Sequence, residues 1–421
     1  MYKLMYKRFY KKGLIRNLIF RCWYEIEWLR VEIKELIKNI YPCECGLIHD
    51  PKMERIEISE HGTEEAIRFI LNKAKGRIMV ISDEITFKIA GKRVYERLKE
   101  VNKETYSYVI PQKNNIPVIP NESTIGETLI RMPLGIDFFV AVGSGVVNDV
   151  VRNISYHLGK EYAVIGTAPS MDGYASITSS LIINNVKESC PGQVPKGIFA
   201  DIDILQNAPY TMLTAGFGDV LSKYNAVREW RFSRDLNKEH YCEEIAEMVW
   251  KAADKCADSA SLLKNRDKKA VTGIMEALIL SGIAMGMYKN TRPGSGCEHH
   301  IVHYWDIEFI KRGWVHPLHG NAVGVALCVI CRLYDLIKEK LPVEVTDLNT
   351  ENIENILKSA GCETNPKTLG IPEDIFHDSI LYGYKMSSSK YTILTHLNKY
   401  DKALLEKCAQ ILTKQYYIDI L

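Results

Sequence analysis

Two short stretches carry histidines at spacings that suit a metal. Ser295–His303 reads SGCEHHIVH, and Leu318–Gly320 reads LHG. On a helix, His299 and His303 at i and i+4 lie on one face, and His319 follows in the next element. Imidazole suits zinc, nickel, iron or copper, and an open catalytic site takes three protein ligands and leaves a position for substrate. His299, His303 and His319 are therefore candidate ligands of a catalytic metal. The competing reading, a solvent-facing polar run, fits poorly with an internal position followed by the mostly apolar helical stretch Asn321–Ile337. A second group, Cys43 and Cys45 with His49, offers three donors but no fourth. Its spacing is not that of a zinc finger, so it is read without a metal. Cys328 and Cys331 lie in the apolar run Val323–Leu333 and read as core packing rather than a redox pair.

The chain has 421 residues, 46% hydrophobic and 25% charged, which fits two domains of globular composition. A net charge of +2 gives no reason to expect nucleic acid as a partner. The 11 cysteines are scattered, and no secretory signal with a small-residue cleavage site is present. Reduced thiols and a cytoplasmic location are expected. No apolar run reads as long enough to span a membrane. Residues Met1–Arg21 are rich in lysine and arginine, hold no acid and are interleaved with Tyr2, Tyr6, Phe9, Tyr10 and Phe20. Glu25–Ile40 then places Ile26, Leu29, Ile33, Leu36 and Ile37 at helical spacing. This arm reads either as a basic element touching an anionic membrane surface or as a helix packed on the body.

The elements that must position these groups alternate first and are helical later. Lys75–Ser82, Tyr106–Ile110, Asp137–Val142 and Tyr162–Ile165 read as strands, with a helix from about Ile85 to Val101 after the first. Such alternation predicts a doubly wound parallel sheet, in which ligands bind beyond the carboxyl ends of the strands. Those ends carry Asp83, the turn Gly143-Ser144-Gly145 and Thr167-Ala168-Pro169-Ser170. A glycine turn between strand and helix lets backbone N–H groups approach a pyrophosphate. The dinucleotide fingerprint would need a third glycine where Asn148 stands, so the turn supports a nucleotide by its position rather than by its motif. Ala200–Leu205 reads as a last short strand. Beyond it, Met212–Trp230, Tyr241–Leu263, Lys268–Met287, Ala322–Lys338, Thr350–Ala360 and Lys402–Leu412 read as helices. Gly216 and Gly218 in the first of these would permit close approach of another segment. Asp219 and Lys223 there form an ordinary i,i+4 pair on the simplest reading.

Taken together, GSGVVND at Gly143–Asp149, GTAPSMDGYAS at Gly166–Ser176, FADIDIL at Phe199–Leu205, AGFGDVLSK at Ala215–Lys223, SGCEHHIVH and LHG closely resemble the sn-glycerol-1-phosphate dehydrogenase family. That family belongs to the iron-containing alcohol dehydrogenase and dehydroquinate synthase-like superfamily, and the resemblance runs from about Cys43 to the C-terminus. It implies an α/β Rossmann-like nucleotide-binding domain over residues 43–206 and an all-α metal- and substrate-binding domain over 207–421, with residues 1–42 a basic amphipathic extension.

The resemblance also implies roles. Asp219, His299 and His319 would hold one divalent metal, zinc or nickel rather than iron, which moves His303 from ligand to substrate contact. Asp172 and Asp219 would also meet the substrate. The NAD contacts would be Asp83, Gly143, Gly145, Val146, Val147, Asn148, Asp149, Thr167, Ala168, Pro169, Ser170 and Ser176, with NADP as the other cofactor. The implied reaction is reversible NAD(P)H-dependent reduction of dihydroxyacetone phosphate for glycerophospholipid or ether-lipid synthesis, in a cytoplasmic homodimer. The rival readings are a glycerol dehydrogenase-like oxidoreductase, which needs no phosphate-binding cation, and a dehydroquinate synthase-like lyase. Two positions depart from the family pattern. Cys297 stands where serine is expected, offering a thiol to a soft metal. Lys390 in SSSKYTIL stands where arginine is frequent, keeping the charge but losing the bidentate fork.

Overall fold

The computed structural model describes residues 33–113, 117–346 and 348–418. A small antiparallel hairpin, β1 (Tyr41–Pro42) and β2 (Ile48–His49), precedes the main sheet. Six strands then form one all-parallel sheet: β3 (Arg55–Ser59), β4 (Arg77–Asp83), β5 (Thr105–Ile110), β6 (Ile136–Gly143), β7 (Glu161–Gly166) and β10 (Gly197–Asp201). Their order is β3-β10-β7-β6-β4-β5. A second hairpin, β8 (Thr178–Ile183) with β9 (Val186–Pro191), projects between β7 and β10. Helices of eight residues or more are labelled α1 (Gly62–Lys73), α2 (Lys92–Val101), α3 (Glu122–Arg131), α4 (Gly145–His157), α5 (Tyr210–Leu221), α6 (Lys223–Asn237), α7 (Glu243–Asp258), α8 (Lys268–Tyr288), α9 (Cys297–Lys311), α10 (His319–Ile337), α11 (Thr350–Ser359), α12 (Glu373–Tyr382), α13 (Ile393–Tyr400) and α14 (Lys402–Thr413).

The central strands are apolar without alternation because both faces are covered. Ile78, Val80, Phe138 and Val140 pack with Ala66, Ile67, Val94 and Leu98 of α1 and α2. Met79, Ile81, Phe139 and Ala141 face the other way and share a core with Val147, Val150 and Ile154 of α4. Each fully buried Val, Ile, Leu, Met or Phe among them contributes about 1.5–3 kcal/mol relative to exposure.

Several expectations change. The last strand is Gly197–Asp201 rather than Ala200–Leu205, because the Asp201 side chain accepts from the Asp203 N–H and starts a short helix, Ile202–Gln206. The helix expected over Met212–Trp230 is divided at Ser222 into α5 and α6. Strand β3, the β8–β9 hairpin, α12 and α13 were not anticipated. Helix α8 and the segment His319–Lys340 are, against the sequence reading, long and apolar enough to cross a membrane. Each has 78% of its apolar window buried, so both serve as core helices. Of the arm, Ile33, Leu36 and Ile37 join the core, and Lys34 reaches Glu57 of β3 at 3.1 Å. The basic stretch Met1–Arg21 and its membrane reading lie outside the described residues.

Helices α5 and α10 meet backbone to backbone. A Cβ on Gly320 would lie 2.0 Å from the Ala215 carbonyl oxygen, and one on Gly216 would lie 1.8 Å from that of Pro169. Gly320→Ala is therefore expected to force the helices apart at a cost of about 1–3 kcal/mol or more. Gly273→Ala in α8, where a Cβ meets nothing within 4 Å, should instead be neutral or stabilising by up to about 1 kcal/mol. Thermal melts of the two variants check the contrast, and equal melting temperatures would refute it.

Candidate active site

The closely crossing helices α5 and α10 carry Asp219 and His319, and the first turn of α9 supplies His299, which lies next to both. The Asp219 Oδ1 and His299 Nε2 atoms are 3.9 Å apart, too far for a hydrogen bond. The rings of His299 and His319 lie 5.3 Å apart between centroids. His299 turns its Nδ1 to Glu298 Oε1 at 2.7 Å, which aims Nε2 at Asp219. Burial, and for His299 the Lys223 ammonium, hold the His299 and His319 pKa values well below the usual imidazole range. The His319 Nδ1 is buried and has no hydrogen-bond partner among the described residues. One carboxylate, two neutral imidazoles and an orphaned buried nitrogen fit a divalent metal with an open position, and the Glu298–His299 contact is the outer carboxylate that metal-binding histidines commonly carry. The His303 ring centroid stands 6.0 Å from that of His319 and 6.5 Å from that of His299, at the side of the cluster.

Lys223, read from sequence as an ordinary ion-pair partner, is buried at the centre. Its Nζ lies 2.8 Å from Asp219 Oδ1 and 2.8 Å from Asp172 Oδ2, and it donates to the Gly294 carbonyl at 3.0 Å. The Asp172 backbone N–H donates to Asp219 Oδ2 at 3.0 Å, and the Ser281 hydroxyl donates to Asp172 Oδ2 at 2.9 Å. Burial opposes the Lys223 charge, but the Asp172 and Asp219 carboxylates outweigh it and drive its pKa above the ordinary value. Lys223 therefore stays charged. Burial and the Asp172 charge push Asp219 up, to about 6, against the pull of Lys223.

A second cation group adjoins this centre. The Lys390 Nζ donates to Ser295 Oγ at 2.6 Å, and burial together with Arg292 lowers its pKa to about 7. Arg292 is fully buried; its Nη2 donates to the Glu229 and Tyr391 carbonyls, its Nε lies 3.2 Å from Glu239 Oε1, and its Nη1 has no hydrogen-bond partner among the described residues. Both ring nitrogens of His300 are likewise buried and unpartnered, and burial and Lys390 bring its pKa down to about 3. Arg292 and His300 escaped the sequence reading; their only signal was proximity to the histidine motif. Cys297 does not offer a thiolate to the histidine cluster. Burial and the Glu229 carboxylate push its thiol well up, and its S–H donates to Glu229 at 3.1 Å.

The expected dinucleotide residues gather along one sheet edge. Strands β7, β6 and β4 are neighbours, so Thr167, Gly143 and Asp83 stand side by side at their carboxyl ends. The Thr167 N–H donates to the Gly143 carbonyl at 3.3 Å. The connections leaving β4 and β6 run to opposite sides, making a switch-point crevice between Asp83 and the Gly143–Gly145 turn. Val146 and Val147 lie in the first turn of α4, whose N-terminus opens on that crevice. Asp83 caps the following turn, accepting from the Thr86 N–H at 2.7 Å. Asn148 donates to the Gly173 carbonyl at 3.3 Å, and Asp149 accepts from Arg152 Nη1 at 2.6 Å. Arg152 in turn binds the carbonyls of Gly173, Tyr174 and Thr178. Asn148 and Asp149 thus fix the Asp172–Ser176 loop, where Ser176 Oγ is bonded to Thr178. Ala168, through its carbonyl, anchors Tyr174 at 2.6 Å, and Pro169 and Ser170 continue the loop against α5.

The fold is that of the iron-containing alcohol dehydrogenases: the model of that family matches residues 58–209. A solved probable glycerol dehydrogenase from Sinorhizobium meliloti superposes with a TM-score of 0.64, at 18% identity over 86% of this chain and 96% of that one. The glycerol-1-phosphate dehydrogenase (NAD(P)+) of Bacillus licheniformis is 30% identical over 379 residues, covering 86% of this chain and 93% of the relative. That of Halalkalibacterium halodurans is 33% identical over 72% of this chain and 76% of its own length. This chain belongs to the glycerol-1-phosphate dehydrogenase family.

Proposed function

We propose that the chain catalyses reversible hydride transfer between NAD(P)H and the C2 carbonyl of dihydroxyacetone phosphate, giving sn-glycerol 1-phosphate. The observation that carries this reading is the buried Lys390, Arg292 and His300 group beside a carboxylate–imidazole cluster. A glycerol dehydrogenase has no use for such a cation pocket, whereas a phosphate dianion would satisfy its unpartnered donors. Asp219, His299 and His319 would hold the metal, zinc or nickel, which when bound polarises the carbonyl oxygen as a Lewis acid. Thr167–Ser170, the Gly143–Asp149 turn, Asp83 and Ser176 would seat the dinucleotide at the strand ends.

The chain's own groups then divide the work. Lys390 and Arg292 draw the phosphate to one end of the site and so fix the position of C2. Asp172, steadied by Ser281 and Lys223, accepts a substrate hydroxyl. Lys223 neutralises the two buried carboxylates, which keeps them ionised and aimed. His303, neutral and at the side of the cluster, hydrogen-bonds the substrate and can relay a proton to the developing C2 hydroxyl, taking one up at its other ring nitrogen as it gives one. The domain division at residues 206 and 207, the homodimer and the cytoplasmic location are proposed from the resemblance.

Chelator-stripped enzyme is expected to oxidise NADH with dihydroxyacetone phosphate only after zinc or nickel is restored, and not with unphosphorylated dihydroxyacetone. Equal rates with both substrates would move the chain to the glycerol dehydrogenases. A pH effect follows from Lys390. Its charged form binds phosphate, and its pKa is lowered to about 7. The kcat/KM for the phosphorylated substrate should therefore be highest just below that value, while Asp219 is still ionised, and fall above it, approaching about tenfold per pH unit. Lys390→Arg should remove the falling limb, because arginine keeps its charge. A limb retained in that variant would refute the assignment.

A further inference from the structure

The cysteines and histidine that lacked a fourth partner in the sequence acquire one in the fold. Cys242, 199 residues along the chain from Cys43, places its Sγ 3.6 Å from Cys43 Sγ and 3.4 Å from His49 Nε2. Cys45 Sγ lies 3.7 Å from His49 Nε2, and all four donor atoms fall within 4.8 Å of one another. A tetrahedral zinc with Zn–S of about 2.3 Å and Zn–N of about 2.05 Å requires S···S and S···N separations of roughly 3.8 and 3.6 Å. The three separations of 3.4–3.7 Å agree with those values to within a few tenths of an ångström, and the other pairs stay within 4.8 Å.

The surroundings point the same way. The His49 Nδ1 faces the Met287 carbonyl at 3.4 Å, which puts the proton on Nδ1 and leaves the Nε2 lone pair directed at the sulfurs. The Cys45 N–H points at Cys43 Sγ at 3.5 Å, and the Gly46 N–H donates to the Cys43 carbonyl at 3.0 Å. Gly46 closes this turn at φ +87°, a conformation that favours glycine. Cys242 is the N-cap residue of α7, where the helix N-terminus offsets part of the burial that pushes its thiol well above the usual range. His49 and Cys242 are fully buried, and Cys43 and Cys45 are half-buried. A disulfide would draw only two sulfurs together, to about 2.05 Å, and gives no account of four converging donors.

We infer that Cys43, Cys45, His49 and Cys242 form a closed tetrahedral zinc site that fastens the hairpin ahead of the sheet to the helical domain. Binding one Zn2+ displaces the three thiol protons to solvent and leaves no open coordination position. The site is therefore structural, and it is separate from the Asp219, His299 and His319 centre.

The test uses the full-length chain purified with zinc and without chelator. Elemental analysis is expected to lose one equivalent of zinc per chain in Cys242→Ser and in Cys45→Ser. The His319→Ala chain should keep this zinc. Cobalt-loaded wild-type protein should show a near-ultraviolet thiolate-to-cobalt charge-transfer band, which a carboxylate–bis-imidazole centre cannot give. That band should survive His319→Ala and vanish in Cys242→Ser. If the serine variants fail to fold, titrating the wild-type chain with a mercurial should release one zinc as three thiols react. Absence of the cobalt band, unchanged zinc content in a folded Cys242→Ser chain, iron in place of zinc, or an intact mass lower by two hydrogens would each overturn the assignment. None of these readouts depends on turnover, so they stand or fall apart from the proposed activity.

Discussion

His319→Ala is expected to lower kcat/KM for dihydroxyacetone phosphate by about a thousandfold or more, equivalent to about 4 kcal/mol of lost charge stabilisation at the C2 oxygen. The prediction rests on the place of His319 as the first residue of α10, facing His299, with a buried Nδ1 that has no partner among the described residues. Removing it leaves one carboxylate and one imidazole, too few to retain a divalent ion against chelator. Metal content of the active centre should fall together with activity. Binding of NADH, followed by fluorescence, should be nearly unchanged, because the strand-end crevice lies on the sheet rather than on α10. Near-normal turnover with the metal retained would remove His319 from the ligand set.

Lys223→Met should produce the largest loss of stability, about 3–5 kcal/mol, because it strands two carboxylates in the interior. Asp219 is fully buried, and Asp172 keeps 18% of its side-chain surface exposed; both lie 2.8 Å from the ammonium. Protonation of one carboxyl would recover part of the loss at low pH. The variant should therefore be least impaired, relative to wild type, in acid, and its recovery should begin above pH 6, because the value of about 6 for Asp219 already includes the lowering by Lys223. Denaturant unfolding with and without added zinc or nickel reads the effect, and a divalent cation should restore part of the lost stability by taking over the role of counter-charge. A variant as stable as the wild type at neutral pH in chelator would show that Lys223 is not the counterion of this centre.

The sheet was legible because its central strands are unbroken apolar runs, and both faces are covered. The weaker elements were not. Strand β3, RIEIS, mixes charge with isoleucine at the sheet edge, and β8–β9 carries Ser, Lys and Glu on an exposed ribbon. The histidine cluster could be read from i,i+4 spacing. Asp219 as a proposed ligand could not, since one aspartate on an apolar helix looks like any other until the resemblance marks it. Lys223 was misjudged for a physical reason: i,i+4 spacing identifies the pair, whereas burial, which determines its strength, depends on α8 and the Arg292–Gly296 segment. Cys242 was invisible as a partner of Cys43 because no local pattern links positions so far apart.

The contact of α5 with α10 has a consequence for how this centre can be altered. Two backbones touch there, so Asp219 and His319 are held on a surface with no side chains left to adjust. A second side of the centre, with Ser295, His303 and Lys390, is made of side chains rather than of touching backbones, so a residue there can be exchanged without moving a helix. A laboratory selection for a new substrate should therefore collect its changes on that second side, and leave the glycines between the two helices untouched.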